Sequence, residues 1–379
     1  MNPINRAIQS KIEANLFQGK AIIILGPRQV GKTTLVRMFE GYKGKKTAWF
    51  NADEPDVREA FSNKTSSELK RIFAGNELVI IDEAQRIHNI GLTLKIIIDT
   101  IKEVQIIATG SSAFELSDKT KEPLTGRKWE YHLFPISTEE LLHHHGEMEE
   151  KRMLENRLIF GQYPEVINSP GKEREVLLSI SDSVLFKDLV SLEVVKKPYL
   201  LEKLLKALAL QTGNEVSFAE LGQLIDADKE TIERYIHYLE QSFILFRLPA
   251  LSRNVRNELR RSRKIYFYDN GIRNSLISNF NSINLRQDKG ALWENFLASE
   301  RMKWLHYHQV HGSRYFWRTT QQQEIDYIEE RDGKFYAFEF KYSPQTKSKF
   351  PKTFSDAYPS EFSVVNRDNY FNFLASIPE

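Results

Sequence analysis

Eight residues near the start of the chain read Gly26-Pro27-Arg28-Gln29-Val30-Gly31-Lys32-Thr33. They fit G-x-x-x-x-G-K-[ST], the pattern of a phosphate-binding loop. An apolar run precedes them, and Thr34 opens a stretch that can continue as a helix. Two glycines let backbone N–H groups face a phosphate, and the new helix adds the positive end of its dipole. The sequence therefore predicts a nucleotide site over residues 26–34, where Lys32 reaches the β- and γ-phosphates and the Thr33 hydroxyl holds Mg²⁺.

A second apolar run, Leu78–Ile81, ends in two acids, Asp82 and Glu83. This pattern is typical of the strand that carries the Mg²⁺ site in ATPases with such a loop. We predict that Asp82 holds the metal, directly or through water, and that Glu83 polarises the attacking water as a general base. The alternative is that two acids simply end a strand. The alternation of strands and helices in the N-terminal third predicts an α/β domain with a parallel sheet.

Further polar residues are weaker candidates for the same site. Ser111 and Ser112 follow the predicted strand 104–108 and are candidates for sensing the γ-phosphate, although small polar residues there are equally typical of a turn. Arg127 is a candidate for stabilising transition-state charge, in its own subunit or across an interface. A surface salt bridge is the alternative for Arg127. Arg28 could likewise face nucleotide or a neighbouring subunit.

Length and composition exclude several classes of protein. The chain has 379 residues, enough for two or three domains, and a net charge of only +2, so any basic surface must be local. It contains no cysteine, which excludes disulfides, thiolate zinc sites and cysteine nucleophiles. Residues 1–20 lack the apolar core of a signal peptide, and no apolar stretch is long enough to span a membrane. We expect a cytoplasmic protein with no membrane partner.

Together these motifs resemble a family of prokaryotic AAA-type ATPases that carry a C-terminal domain of unknown function of the DUF4143 kind. The chain is similar to the archaeal-ATPase and signal-transduction-ATPase branch. The matching pieces, in order, are GPRQVGKTTL, LVIIDEAQRI, ATGSSAFEL, LTGRKWEYHLFPIS, GQYPEVI, ETIERYIHYLE, KIYFYDNGIR and EFKYS. The resemblance implies a P-loop NTPase core, a winged-helix segment and a restriction-endonuclease-like C-terminal fold. It implies no particular cellular role.

The middle of the chain predicts a helical lid or linker followed by a winged helix. A short helix over 221–225, a turn and a longer helix over 229–243 have helix-turn-helix spacing, and residues 243–248 follow as a strand. Such modules bind DNA or join protein domains. Residues 252–264 then hold six basic residues against one acid. This density favours DNA binding over a solvated charged segment. The basic residues are Arg253, Arg256, Arg260, Arg261, Arg263 and Lys264.

The C-terminal part carries a second candidate site. Asp326 lies in an alternating strand pattern, and Glu339 and Lys341 share one face of the next strand. Asp followed by Glu-x-Lys is the arrangement of a restriction-endonuclease-like site, and the domain resembles archaeal Holliday-junction resolvases. Asp326 and Glu339 would bind Mg²⁺ or Mn²⁺, Glu294 from a helix could complete the ligands, and Lys341 would assist the attacking water. The alternative is a salt-bridged sheet face on a nuclease fold used only for binding.

We predict four segments: an ATPase domain over 1–140, a helical lid or linker over 141–200, a winged helix over 201–265 and a nuclease-like domain over 266–379. Two functions fit them. The first is an ATP-driven enzyme that binds or processes DNA. The second is a regulatory switch ATPase whose inactive C-terminal domain binds a protein partner or nucleic acid. For both we expect ATP to strengthen homo-oligomer formation, with Arg127 or Arg28 reaching a neighbour's nucleotide.

Overall fold

The computed structural model describes residues 4–111, 123–183, 195, 197–252, 263–319 and 321–375. The chain forms two compact units, one of residues 2–135 with 241–243 and one of residues 136–240 with 244–379. Each unit has its own sheet structure and is described by itself.

The first unit is built on a five-stranded, fully parallel sheet in the order β2-β3-β4-β1-β5. Every residue of β1, β3 and β4 is buried, which explains the apolar runs 21–25 and 78–81 in the sequence. The prediction of an α/β fold with a parallel sheet is confirmed. The strands are β1 Ala21–Leu25, β2 Thr47–Asn51, β3 Leu78–Asp82, β4 Gln105–Gly110 and β5 Lys128–His132.

In the part of this unit that the structure describes, five helices accompany the sheet, and parallel strands require crossover connections of this kind. The fourth, α4, begins with a capping box in which the side chains and backbone N–H groups of Thr65 and Glu68 bond reciprocally. The helices are α1 Gln9–Asn15, α2 Lys32–Arg37, α3 Pro55–Phe61, α4 Ser66–Phe73 and α5 Ile90–Thr100.

The second unit begins with helices and contains two sheets. The smaller sheet is antiparallel, in the order β6-β8-β7, with β6 Glu215–Val216, β7 Leu245–Pro249 and β8 Arg263–Phe267. The helices before and beside it are α6 Thr138–His145, α7 Glu147–Phe160, α8 Pro164–Ile167, α9 Glu173–Asp182, α10 Pro198–Leu210, α11 Phe218–Ile225, α12 Lys229–Gln241 and α13 Asn270–Leu276.

The larger sheet of the second unit has the order β12-β11-β10-β9. Strand β10 is antiparallel to both β9 and β11, and its pairing with β9 shifts register between Ile325 and Ile328. Strand β12 runs parallel to β11. The long helix α14 contributes Trp293 and Phe296 to the core that this sheet forms. The elements are α14 Lys289–Tyr307, β9 Ser313–Arg318, β10 Glu324–Arg331, β11 Lys334–Phe340, α15 Lys352–Ser355, β12 Ser360–Val365 and α16 Tyr370–Ala375.

The two sheets of the second unit are joined by backbone. The N–H of Leu251, just after β7, donates to the carbonyl of Phe316 in β9 at 2.7 Å, and Ala250 and Phe316 form a parallel bridge. The predicted segment boundaries after residues 140, 200 and 265 fall inside α6, α10 and β8.

Among the residues that the structure describes, none of the helices combines the length and the apolar character needed to cross a bilayer.

Candidate nucleotide site and carboxylate cluster

The loop between β1 and α2 has a backbone that its glycines make possible. A Cβ on Gly26 would lie 2.1 Å from the carbonyl oxygen of Leu133, so these two backbone segments approach too closely for a side chain at position 26. Gly31 has φ 94° and stands directly before α2. Gln29 takes a left-handed φ of 62° without being glycine. The segment Gly26–Thr33 thus forms the curled strand-to-helix connection that the sequence predicts.

Lys32 lies inside this curl. Its side chain is buried, and its ammonium donates to the carbonyls of Gly26 at 2.8 Å and Pro27 at 2.9 Å. The loop is held by a second cation, since Arg6 donates to the carbonyl of Val30 at 2.7 Å. The charge of Lys32 is therefore already fixed at the concave side of the loop, where a phosphate would lie.

Asp82 ends β3 beside the loop, although β4 separates β3 from β1 in the sheet. The hydroxyl of Thr33 donates to Asp82 Oδ2 at 2.8 Å, and the hydroxyl of Thr109 donates to Asp82 Oδ1. The backbone N–H of Glu83 donates to Thr109 Oγ1 at 3.1 Å. Thr109, near the end of β4, therefore connects the two acids.

Glu83 sits in a left-handed backbone conformation with φ 54°, which is uncommon for a non-glycine residue and often marks a functional position. Its carboxylate accepts a hydrogen bond from Gln85 Nε2 at 2.5 Å. The same nitrogen contacts the hydroxyl of Ser111 at 3.1 Å. Glu83 and Ser111 are thus brought together through Gln85, as close neighbours of Asp82.

The structure separates Arg127 from this site. Arg127 precedes β5, its carbonyl accepts from Ala21 at the start of β1, and its guanidinium pairs with Asp99 at 2.7 Å. It therefore lies at the amino ends of the strands, whereas the loop lies at their carboxyl ends. The structure therefore does not bring Arg127 to the phosphate loop of its own chain, and its pairing with Asp99 is the surface salt bridge that the sequence leaves open as the alternative. Arg28 lies in the loop, half-buried, and Ser112 lies outside the described residues.

Three residues of this site were not predicted: Arg6, Gln85 and Thr109. Thr109 stands in a buried strand, where successive side chains point to opposite faces of the sheet, and this alternation of side chains could have suggested that Thr109 faces Asp82. Gln85 stands in the same motif as the two acids but carries no charge to single it out. Arg6 acts on a loop that begins 20 positions later in the sequence, and nothing in the local pattern signals that contact.

A Mg²⁺ ion would fit beside Asp82. A carboxylate and a hydroxyl oxygen, from Asp82 and Thr33, lie 2.8 Å apart next to the loop. Hard oxygen ligands supplemented by phosphate oxygens and water are the environment that Mg²⁺ takes in phosphate-binding sites.

The second candidate site lies on the larger sheet of the second unit. Asp326 accepts a hydrogen bond from the N–H of Phe340 at 2.8 Å, which ties β10 to β11 at this point. Lys341 pairs with Glu339 at 2.6 Å. Burial raises the pKa of Asp326, and burial together with the nearby charge of Asp326 raises the pKa of Glu339. The structure therefore brings Asp326, Glu339 and Lys341 together.

Lys264 of β8 enters the same cluster from the smaller sheet. Its ammonium lies 2.8 Å from Glu294 Oε1, 2.6 Å from Glu324 Oε1 and 3.8 Å from Asp326 Oδ1. The hydroxyl of Tyr266 donates to Glu294 Oε1 at 2.7 Å. Burial raises the pKa of Glu294 to about 7, against the opposing charge of Lys264. Burial alone would lower the pKa of Lys264, but the surrounding carboxylates raise it well above its usual range.

These contacts correct two predictions. Lys264 is 1% exposed, so it is not available to a DNA phosphate, and four of the other basic residues, Arg253, Arg256, Arg260 and Arg261, lie outside the described residues. Within the described ranges, no group of three or more Asp, Glu or His side chains is arranged to hold a metal ion. Glu294, Asp326 and Glu339 therefore do not fit a divalent ion as they stand.

Comparison with known protein families matches three segments of the chain. Residues 18–142 match a family described as an AAA domain. Residues 151–283 match a domain of unknown function (DUF8612), and residues 289–374 match another (DUF4143). These matches confirm the resemblance drawn from the ordered motifs.

Two of the relatives, from Mycobacterium tuberculosis and Methanocaldococcus jannaschii, are described as uncharacterized proteins. A Mycobacterium tuberculosis protein is 26% identical over 341 residues, 89% of this chain and 73% of the relative. A Methanocaldococcus jannaschii protein is 22% identical over 316 residues, 78% of this chain and 69% of the relative. The solved structure of Cdc6p from Pyrobaculum aerophilum aligns with TM-score 0.30 and 12% identity, covering 73% of this chain and 95% of that chain. That score is too low to carry an argument.

Proposed function

Because the chain joins an AAA domain to a C-terminal domain of unknown function, we propose that it hydrolyses ATP with Mg²⁺ and couples this cycle to DNA binding. The observation that carries the proposal is the placement of Lys32, Thr33, Asp82 and Glu83 around one strand-to-helix loop.

The side chains divide the chemistry among them. Lys32 would leave the carbonyls of Gly26 and Pro27 to pair with the β- and γ-phosphates. Glu83 would accept a proton from water as its oxygen attacks the γ-phosphorus, and the bond from that phosphorus to ADP breaks. Mg²⁺, held by Thr33 and Asp82, would offset the charge on the phosphate oxygens.

The test of the ATPase is a pair of substitutions. Lys32→Ala should abolish ATP binding, measured by calorimetry, since it removes the lysine that the loop motif assigns to the β- and γ-phosphates. Glu83→Gln should bind ATP with unchanged affinity but release phosphate about a hundredfold more slowly, since its amide is a poor proton acceptor. Wild-type turnover from Glu83→Gln would remove Glu83 from this role.

Support for the DNA part comes from the sequence, where, with the buried Lys264 left out, residues 252–263 hold five basic residues against one acid. The described residues limit where the contact could be. The exposed face of α12 carries Lys229 and Arg234 beside Glu230 and Glu233, so this helix offers no net positive charge. The basic segment, rather than α12, would then supply the phosphate contacts.

The DNA part is tested by fluorescence anisotropy with labelled single-stranded, duplex and branched DNA at several salt concentrations. We expect binding whose affinity falls steeply with salt. Replacing Arg260 and Arg261 by alanine should weaken it, whereas replacing Lys229 and Arg234 should not. Equal loss in both variants would argue against the basic segment as the binding site, and no binding at all would leave the regulatory function.

A second function, a regulatory switch ATPase with an inactive C-terminal domain, is favoured by one observation. The carboxylates of the nuclease-like site are already paired with Lys264 and Lys341. Incubation of the full chain with Mg²⁺ or Mn²⁺ and each DNA substrate distinguishes the two. Cleavage that Asp326→Ala removes would support a DNA-processing enzyme, and intact DNA would support the switch.

A further inference from the structure

The carboxylate cluster of the second unit is organised around a lysine from another sheet. Lys264 belongs to β8 of the smaller sheet, whereas Glu324 and Asp326 belong to β10 and Glu294 to α14. Its ammonium lies within 2.8 Å of two carboxylates and 3.8 Å from a third. One positive charge therefore stands at the point where three acids converge.

An ammonium and a divalent ion cannot share this position. A lysine ammonium has three N–H donors and no acceptor, and it occupies the position that Glu294 Oε1, Glu324 Oε1 and Asp326 Oδ1 face. Mg²⁺ and Ca²⁺ need about six or more oxygen ligands at roughly 2.0–2.6 Å, a set from which a buried cation must be absent. Lys264 is 1% exposed, and the ring of Phe316 lies 5.5 Å from its ammonium, so the side chain is enclosed rather than free to swing into water.

We infer that Lys264 is the resident cation of this cluster, and that Glu294, Glu324 and Asp326 take no divalent ion while it is in place. Removing its ammonium, with the aliphatic stem retained, leaves three carboxylates around a space of cation size. Buried carboxylates require compensation by a proton or by another cation. The variant Lys264→Met should therefore create a divalent-metal site that the natural chain lacks.

The inference does not rest on ATP hydrolysis or DNA binding, because metal binding is measured without nucleotide or nucleic acid. Mn²⁺ alone serves as the probe, followed by electron paramagnetic resonance and calorimetry on the full chain. Four proteins are compared: the natural chain, Asp326→Asn, Lys264→Met, and the two substitutions together. All four share the same ATPase domain, so any Mn²⁺ held near Asp82 cancels in the differences.

We expect the natural chain and Asp326→Asn to bind the same number of Mn²⁺ ions. Lys264→Met should bind one ion more per chain, at least about tenfold more tightly than any binding by the natural cluster, since a repelling charge has been removed. The double variant should lose that ion. Circular dichroism checks that each variant is folded.

Two results would overturn the inference. The first is a Mn²⁺ ion bound by the natural chain and lost in Asp326→Asn, since the cluster would then hold metal beside Lys264. The second is a folded Lys264→Met protein that gains no ion. If Lys264→Met does not fold, the comparison of the natural chain with Asp326→Asn still decides whether the natural cluster is free of metal.

Discussion

Gln85 holds the carboxylate of Glu83 by a hydrogen bond of 2.5 Å and reaches Ser111 with the same nitrogen. It is 3% exposed, so its amide is fixed by the surrounding protein. Proton abstraction needs a carboxylate held within hydrogen-bond reach of the attacking water. Gln85 is therefore placed to set the orientation of Glu83 without touching the reacting atoms.

We predict that Gln85→Ala lowers kcat for ATP by about tenfold or more, because a poorly oriented base loses part of its contribution. KM should change little, since Lys32 and Thr33 are untouched. Steady-state phosphate release measures both constants. Ser111→Ala is the matched control: it removes the weaker contact of the same amide and should have the smaller effect. A change in KM alone would assign Gln85 to nucleotide binding instead.

The roles of single residues could be predicted only where the motif is local. Lys32, Thr33, Asp82 and Glu83 follow from a loop pattern and from two acids after an apolar run, and the structure brings them together. Lys264 is the opposite case. Its sequence neighbours are basic, so it was predicted to face phosphate, but three acids distant in sequence draw it into the interior.

At the scale of elements, the start of α14 is fixed by Asp288. Its backbone carbonyl accepts from Leu292 N–H, and its carboxylate accepts from Arg286 at 2.8 Å and from Arg273 of α13. Burial would raise the pKa of Asp288, but hydrogen bonds from these two arginines lower it to about 2. Both arginines are buried, and both form an ion pair with this carboxylate.

A folded-state pKa below the unfolded value means that the ionised carboxylate stabilises the fold at neutral pH. That stabilisation should be present above about pH 4 and lost as the pH falls toward about 2. Asp288→Asn should lower the free energy of unfolding at pH 7 by at least about 2 kcal/mol, and the difference should shrink below pH 4. Urea unfolding at pH 7, 4 and 2.5 measures it, with the exposed Asp356→Asn as control. A difference independent of pH would mean that the effect is not electrostatic.

The positions of strands along the sequence were easier to predict than the elements that lie beside them in the fold. The runs around 21–25, 47–51 and 78–81 fall on β1, β2 and β3, and the buried strands β1 and β3 give the clearest apolar runs. The position of β8 beside the carboxylates of α14 and β10 could not be predicted, since pairing between distant segments leaves no local periodicity. For the same reason the predicted boundary after residue 265 cuts through β8.

At the scale of the whole molecule, the position of Arg127 bears on assembly. Arg127 lies at the amino ends of the strands, whereas the phosphate loop of its own chain lies at their carboxyl ends. Its guanidinium is paired with Asp99 at the surface, and 40% of its side chain is exposed. A role for Arg127 in stabilising transition-state charge at the nucleotide of a neighbouring copy stays a hypothesis, with the surface salt bridge to Asp99 as its alternative.

We therefore predict that the chain self-associates more strongly with a non-hydrolysable ATP analogue, as measured by light scattering. Arg127→Ala should lower turnover while leaving ATP binding intact, and the loss should grow with protein concentration, where assemblies form. Lys45→Ala removes a similarly exposed ion pair, with Glu77, and should not change turnover. A monomer in both nucleotide states would exclude a role for Arg127 at a neighbour's site.

The ion pairs between Lys264 and the three carboxylates also limit where recombination could have divided this chain during evolution. A recombination point between 267 and 289 would deliver α14 and β10 to a new protein without β8, and so without the ammonium that Glu294, Glu324 and Asp326 share. The recipient would carry the three carboxylates without the ammonium that they share, which is destabilising because the side chains of Glu294 and Asp326 are largely buried. Descendants that keep all three acids should therefore have inherited β8 with them, and a lineage that lost the lysine should have lost acids too, or gained a metal.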